Sequence, residues 1–212
     1  MSPTAGIGGS GKKTNRKANQ NKKITRKDIH KAGEALPQLI KQLVKRCVEA
    51  DAEGQAQAAT GLMHVAQMDH GQHVDKLFKN GAVKPLVGLL ATGGASAQQV
   101  AASTLAAIAV KHADYQKAIV DKGGVVPLVN LLKTGSAAVQ AEAAHAIATL
   151  DAEVSHQEGI IKAGAVLPLV AVLKNGSAAA QASAAFPLEE HRVAHIFHST
   201  THMSPSFMHS EI

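Results

Sequence analysis

The chain has 212 residues, 45% of them apolar and only 2% aromatic, with no Trp, so a core must be built from Ala, Leu, Val and Ile. The absence of any run of about 18 apolar residues argues against membrane insertion; with no apolar stretch behind the N-terminal charges and Ser2 after Met1, neither a secretory leader nor a myristoylation site is expected. The net charge of +6 is uneven: residues 1–29 hold eight basic groups and one acid, +7, against 14 basic and 15 acidic groups in the remainder, −1, so reading the whole molecule as a nucleic-acid binder would mistake an arm for a body.

The arm comes first in chain order. Residues 1–28 are Gly, Ser, Asn and Lys with almost no large apolar side chain, and such a segment is expected to stay disordered. Its cations are Lys12, Lys13, Arg16, Lys17, Lys22, Lys23, Arg26 and Lys27, two clusters that fit either a nuclear-import signal or a solubilising tail. Gly6-Ile7-Gly8-Gly9-Ser10-Gly11 fits the G-x-G-x-x-G pattern, and Lys12 nearly completes a P-loop. Lys13, however, stands where a P-loop needs Ser or Thr, and no strand precedes the turn. A flexible linker is expected there, and no cofactor.

A glycine-to-proline step then recurs: Gly33 to Pro37, Gly81 to Pro85, Gly123 to Pro127 and Gly164 to Pro168, with prolines 48, 42 and 41 residues apart. A period of about 40 residues marks a helical solenoid, whose units bury their apolar faces on one another. In the third unit a short helix from Asp114 stops at Gly123-Gly124, where glycine supplies the left-handed C-terminal residue. Pro127 opens a second helix with Leu128, Val129, Leu131 and Leu132 on its apolar face. Ser136 caps a third, with Val139, Ala143, Ile147 and Leu150 at helical spacing. The second unit repeats this with Leu77, Leu86, Leu89, Leu90, Leu105 and Ile108, and its Ser96 and Gln99 have capping-box spacing. Cys47, the single cysteine, follows Leu43-Val44 and reads as a packing residue in a reducing compartment.

After Phe186 the pattern stops, and Pro187 stands inside what should be a third helix, where proline costs about 3 kcal/mol or more. Residues 187–212 are rich in His, Ser and Met. His191, His195, His198 and His202 would share a helix face, but they are too spread to converge on one tetrahedral zinc. An irregular non-repeat tail is expected, with no metal.

Gly81-Ala82-Val83-Lys84-Pro85-Leu86-Val87-Gly88-Leu89-Leu90 and Gly164-Ala165-Val166-Leu167-Pro168-Leu169-Val170 resemble the consensus of the armadillo repeat, a unit of three helices. The resemblance covers residues 30–186 and implies an all-α fold: a right-handed α-solenoid of about three full repeats plus a truncated fourth, between an arm at 1–29 and a tail at 187–212. It also implies a groove lined by successive third helices, along which members of the family bind protein partners. Where members grip extended peptides, a Trp and an Asn recur on that helix. The matching positions are Thr60 and His64, Ser103 and Ala107, His145 and Thr149, Phe186 and Glu190, with neither residue among them, so import-type peptide reading is not expected. Thr60, His64, Ser103, His145 and Thr149 are the candidate contact residues. The function implied is a non-enzymatic protein–protein interaction module or scaffold. The alternative is a nucleic-acid-associated or nuclear-transport-type adaptor working through the arm. Cytoplasmic localisation is expected, with the nucleus as the alternative. Weak self-association is expected where the cut fourth repeat leaves its second helix uncovered.

Overall fold

The computed structural model describes residues 25–151 and 154–185, and all regular structure among them is helical. The first repeat holds α1 (Arg26–Ala32), α2 (Leu36–Glu49) and α3 (Ala52–Gln67). The second holds α4 (Val74–Lys79), α5 (Val83–Thr92) and α6 (Ala95–Ala109), and the third α7 (Ala113–Asp121), α8 (Val125–Thr134) and α9 (Ala137–Asp151). The fourth holds α10 (Val154–Lys162), α11 (Val166–Asn175) and α12 (residues 178–185). The expected contacts of Lys12, Lys13, Arg16, Lys17, Lys22 and Lys23, and the expected tail 187–212, lie outside the described residues.

The architecture is the expected α-solenoid. Third helices pack on third helices, α3 along α6 and α6 along α9. Second helices do the same from α2 to α5, α8 and α11. Between these layers runs one apolar core whose fully buried members recur by repeat: Leu43, Leu86, Leu128 and Leu169 in the second helices, and Leu62, Leu105 and Ile147 in the third. Burying one such side chain contributes about 1.5–3 kcal/mol. Gly81, Gly123 and Gly164 hold φ of 76°, 76° and 77° between first and second helices, the left-handed residue that lets the chain reverse without a Cβ penalty. Ser136 accepts from the Val139 amide at 3.4 Å and caps α9 as expected. Cys47 is buried as expected, and burial, partly opposed by Arg46, pushes its thiol up to about 12.

Three expectations need correction. The solenoid begins before residue 30. Thr25 and Asp28 form a reciprocal capping box that starts α1 at Arg26, and Ile29 is 1% exposed in the core. Arg26 and Lys27 therefore sit on a helix and not in the arm; one buried isoleucine and one cap outweigh a polar average.

The Gly33–Pro37 step is not the first of the series. The helix-capping positions Asp51, Gly94, Ser136 and Ser177 set the register, and with the leucines above they give spacings of 43, 42 and 41. On that register Gln42, not Pro37, stands where Pro85 does. Pro37 lies near the start of an α2 of 14 residues, entered through a 3-10 turn at Gly33–Ala35.

The Ser96–Gln99 box does not form, because Gly94 precedes α6 without a side-chain cap. Gln98 Nε2 instead donates to the Leu90 carbonyl at 3.3 Å, and Gln140 donates to that of Leu132 at 3.0 Å. One glutamine in each of the second and third repeats thus ties the third helix to the end of the second.

Candidate groove on the third helices

Third helices are rich in Ala because each is buried on two sides, against its own second helix and against the neighbouring third helices. Small side chains allow that approach. What remains open is a strip along the outside of α3, α6, α9 and α12. Within these four helices there is no Lys or Arg, and the carboxylates are Glu53, Glu142 and the buried Asp151. The body's cations lie on first and second helices and in connections.

All five predicted contact residues are on third helices and none is fully buried. His145 is exposed, while Thr60, His64, Ser103 and Thr149 are half-buried. His145 and Thr149 come together in an open concavity of ≈ 550 Å³, with Val110, Gln116, Ala148, Ala182 and Ser183 completing its walls. Thr60 and His64 sit one turn apart on α3 and Ser103 lies on α6, outside these walls.

The threonine hydroxyl donors on this surface are already used. Thr149 Oγ1 donates to the His145 carbonyl at 2.8 Å and Thr60 Oγ1 to that of Ala56 at 2.8 Å. Each oxygen keeps lone pairs, so toward a partner these threonines are acceptors. Gln116 is likewise committed, its Nε2 donating to the Ala109 carbonyl at 3.2 Å and closing the end of α6.

The wall residues missed by sequence reading are Val110, Gln116, Ala148, Ala182 and Ser183. Only Gln116 left a trace there, since Gln157 repeats it one unit later and donates to the Asp151 carbonyl at 3.2 Å. Val110 is 69% exposed and looks like core in a sequence.

Among the described residues no group of three or more His, Cys, Asp or Glu side chains is placed to hold a metal. No single helix among them is long and apolar enough to cross a membrane.

The armadillo/beta-catenin-like repeat model matches residues 112–150, which span α7 to α9. No curated protein matches the chain. An engineered protein of known crystal structure is 34% identical, covering 79% of this chain and 66% of its own, with a TM-score of 0.68. A designed armadillo repeat protein is 25% identical over 91% of this chain and 85% of its own, TM-score 0.71. Another, solved in complex with the peptide (KR)4, is 25% identical over 92% and 87%, TM-score 0.68. The chain thus spans just under two thirds of the first of these and most of the other two. Three-helix units, left-handed glycines before the second helices and a continuous third-helix layer agree with these matches, and the chain belongs to the armadillo-repeat family.

Proposed function

We propose that this chain is a protein-binding repeat scaffold that holds a partner segment along the third-helix groove, centred on His145 and Thr149. The observation that carries the proposal is the groove itself, a cation-free strip that opens to ≈ 550 Å³ where α6, α9 and α12 meet. Its threonines offer acceptors, so a suitable partner brings donors, either backbone N–H groups or Lys and Arg side chains. A strip without Lys or Arg does not repel such a segment, and a similar designed protein is solved with (KR)4 bound. Ala148, Ala182 and Ser183 replace large side chains in the walls, so recognition rests on shape and hydrogen bonds and not on aromatic stacking.

The test is titration of the full chain with a fluorescent (KR)4 peptide and with neutral and acidic peptides of equal length. Basic or neutral peptides should bind, and the pair His145→Glu with Thr149→Asp should change their affinity while Lys133→Ala on the second-helix side leaves it alone. Binding that responds to Lys133→Ala and ignores the groove pair would place the partner elsewhere and end this reading.

A further inference from the structure

The repeats can be compared position by position along their second helices, and the fourth differs in one respect. Val83, Val87 and Leu90 of α5 are buried, and so are Val125, Val129 and Leu132 of α8. Their equivalents on α11 are Val166, Val170 and Leu173. The two valines are only half-buried, and Leu173 is 38% exposed where Leu132 is 2%. Ile161 of α10, equivalent to the half-buried Phe78 and Val120, is 46% exposed. Each earlier second helix is covered by the next repeat, since α5 packs on α7 and α8 and α8 packs on α11. The open face is therefore the same face, in register, by which each earlier second helix meets the repeat after it.

The sequence of residues 186–212 does not repeat that unit. Carried forward by 41 residues, the buried Ile160 becomes Thr201, the buried Leu169 becomes Ser210, and the left-handed Gly164 becomes Pro205. Proline holds φ near −65° and cannot make that turn. The opposite end of the stack offers no match either. Lys31, Gln38, Lys41, Gln42 and Lys45 are exposed on the first repeat, with Val48 the one large apolar side chain open there. A head-to-tail contact would set valines and leucine against lysines.

We propose that this face docks a second copy of the chain through the same face, α11 against α11, giving a closed two-fold dimer joined at the fourth repeats. An isologous pairing sets Val166, Val170, Leu173 and Ile161 against their own kind and leaves both polar first-repeat ends outward, so the assembly stops at two. It also leaves the third-helix strips of both copies open.

Sedimentation equilibrium of the full chain over a dilution series tests this. The expected result is twice the 21.9 kDa chain mass and nothing larger. Leu173→Glu should raise the concentration for half-dissociation about tenfold or more, with an unchanged circular dichroism spectrum. Ile161→Glu, at a more exposed point of the face, should do the same should Leu173→Glu fail to fold. Val48→Glu at the other end should leave the dimer intact. A single chain mass at every concentration overturns the proposal and makes residues 186–212 the candidate cover. Open-ended growth, or dissociation by Val48→Glu, overturns it in favour of a head-to-tail contact.

Discussion

Tyr115 stacks on Phe78 with ring centroids 4.0 Å apart and planes 22° from parallel. The pair joins the first helix of the third repeat to that of the second. Tyr115 Oη also donates to Asp75 Oδ1 at 2.9 Å, and His112 meets the ring edge-on at 5.0 Å. In a chain with a single tyrosine and no tryptophan, this is a concentrated piece of inter-repeat contact, since aromatic pairs add about 0.5–1.5 kcal/mol beyond their buried area.

Replacing Tyr115 separates its two roles. Tyr115→Phe keeps the stack and loses the bond to Asp75, and should cost about 1 kcal/mol. Tyr115→Ala loses both and should cost about 3 kcal/mol or more. Burial, and after it the hydrogen bond to Asp75, raises the phenol above its ordinary value. A raised acid keeps its proton in the folded state after the unfolded chain has lost its own. Its contribution is thus complete below about pH 10 and is lost as pH rises through the folded value. Urea melts of wild type and Tyr115→Phe at rising alkaline pH should converge; a constant gap would show that the hydroxyl does not titrate with folding.

Cys47 behaves similarly in a different window. Its thiol is moved from 9.0 up to about 12, chiefly by burial, so the stability it contributes is full below about pH 9 and declines as pH climbs toward 12. At neutral pH it should react with a thiol reagent only at the rate at which the first repeat opens. Rapid labelling of the native chain would mean that α2 is not seated on α3. In Cys47→Ala this part of the alkaline loss should vanish while the Tyr115 part remains.

What could be read from the sequence follows from how local each constraint is. Gly81, Gly123 and Gly164 were legible because a left-handed residue before a proline is a demand of the chain on itself, and the leucines of α5 and α8 because helical spacing repeats every turn. The first repeat was misregistered because Gly33 and Pro37 imitate that punctuation, whereas the deciding signal, Leu43 and Asp51 in step with Leu86 and Gly94, lies deeper in the unit. His145 and Thr149 were placed by their helix position alone. Val110 and Ser183 were not, because the groove arises from how α6, α9 and α12 lie against one another, and no residue records that arrangement by itself.

Core and groove should respond in opposite ways. Leu131 is 4% exposed in α8, so Leu131→Ala should cost about 2–5 kcal/mol through the cavity left behind. His145→Glu with Thr149→Glu lies on the open strip and should stay within about 0.5 kcal/mol per site while changing peptide affinity. Chemical denaturation of both variants checks this; a groove pair that unfolds beside a tolerated Leu131→Ala would mean the inner and outer faces have been exchanged.

Gly123 and Gly135 both punctuate the third repeat, for different reasons, and a pair of substitutions at each tells them apart. At Gly123 φ is +76° and an added Cβ would meet nothing within 4 Å. Alanine there should cost about 1–2 kcal/mol purely from the left-handed backbone. Asparagine, which tolerates that region, should recover part of the loss. At Gly135 φ is −72°, open to any residue, but an added Cβ would lie 2.6 Å from the Leu131 carbonyl oxygen and 2.7 Å from Val139 Cγ1. Alanine there forces α8 away from α9, and asparagine, with the same Cβ, brings no relief. Thermal melts of the four variants should therefore rank Gly123→Asn above Gly123→Ala while leaving Gly135→Asn no better than Gly135→Ala. Equal rescue at both sites would mean that backbone dihedral, and not close approach, governs the turn between second and third helices.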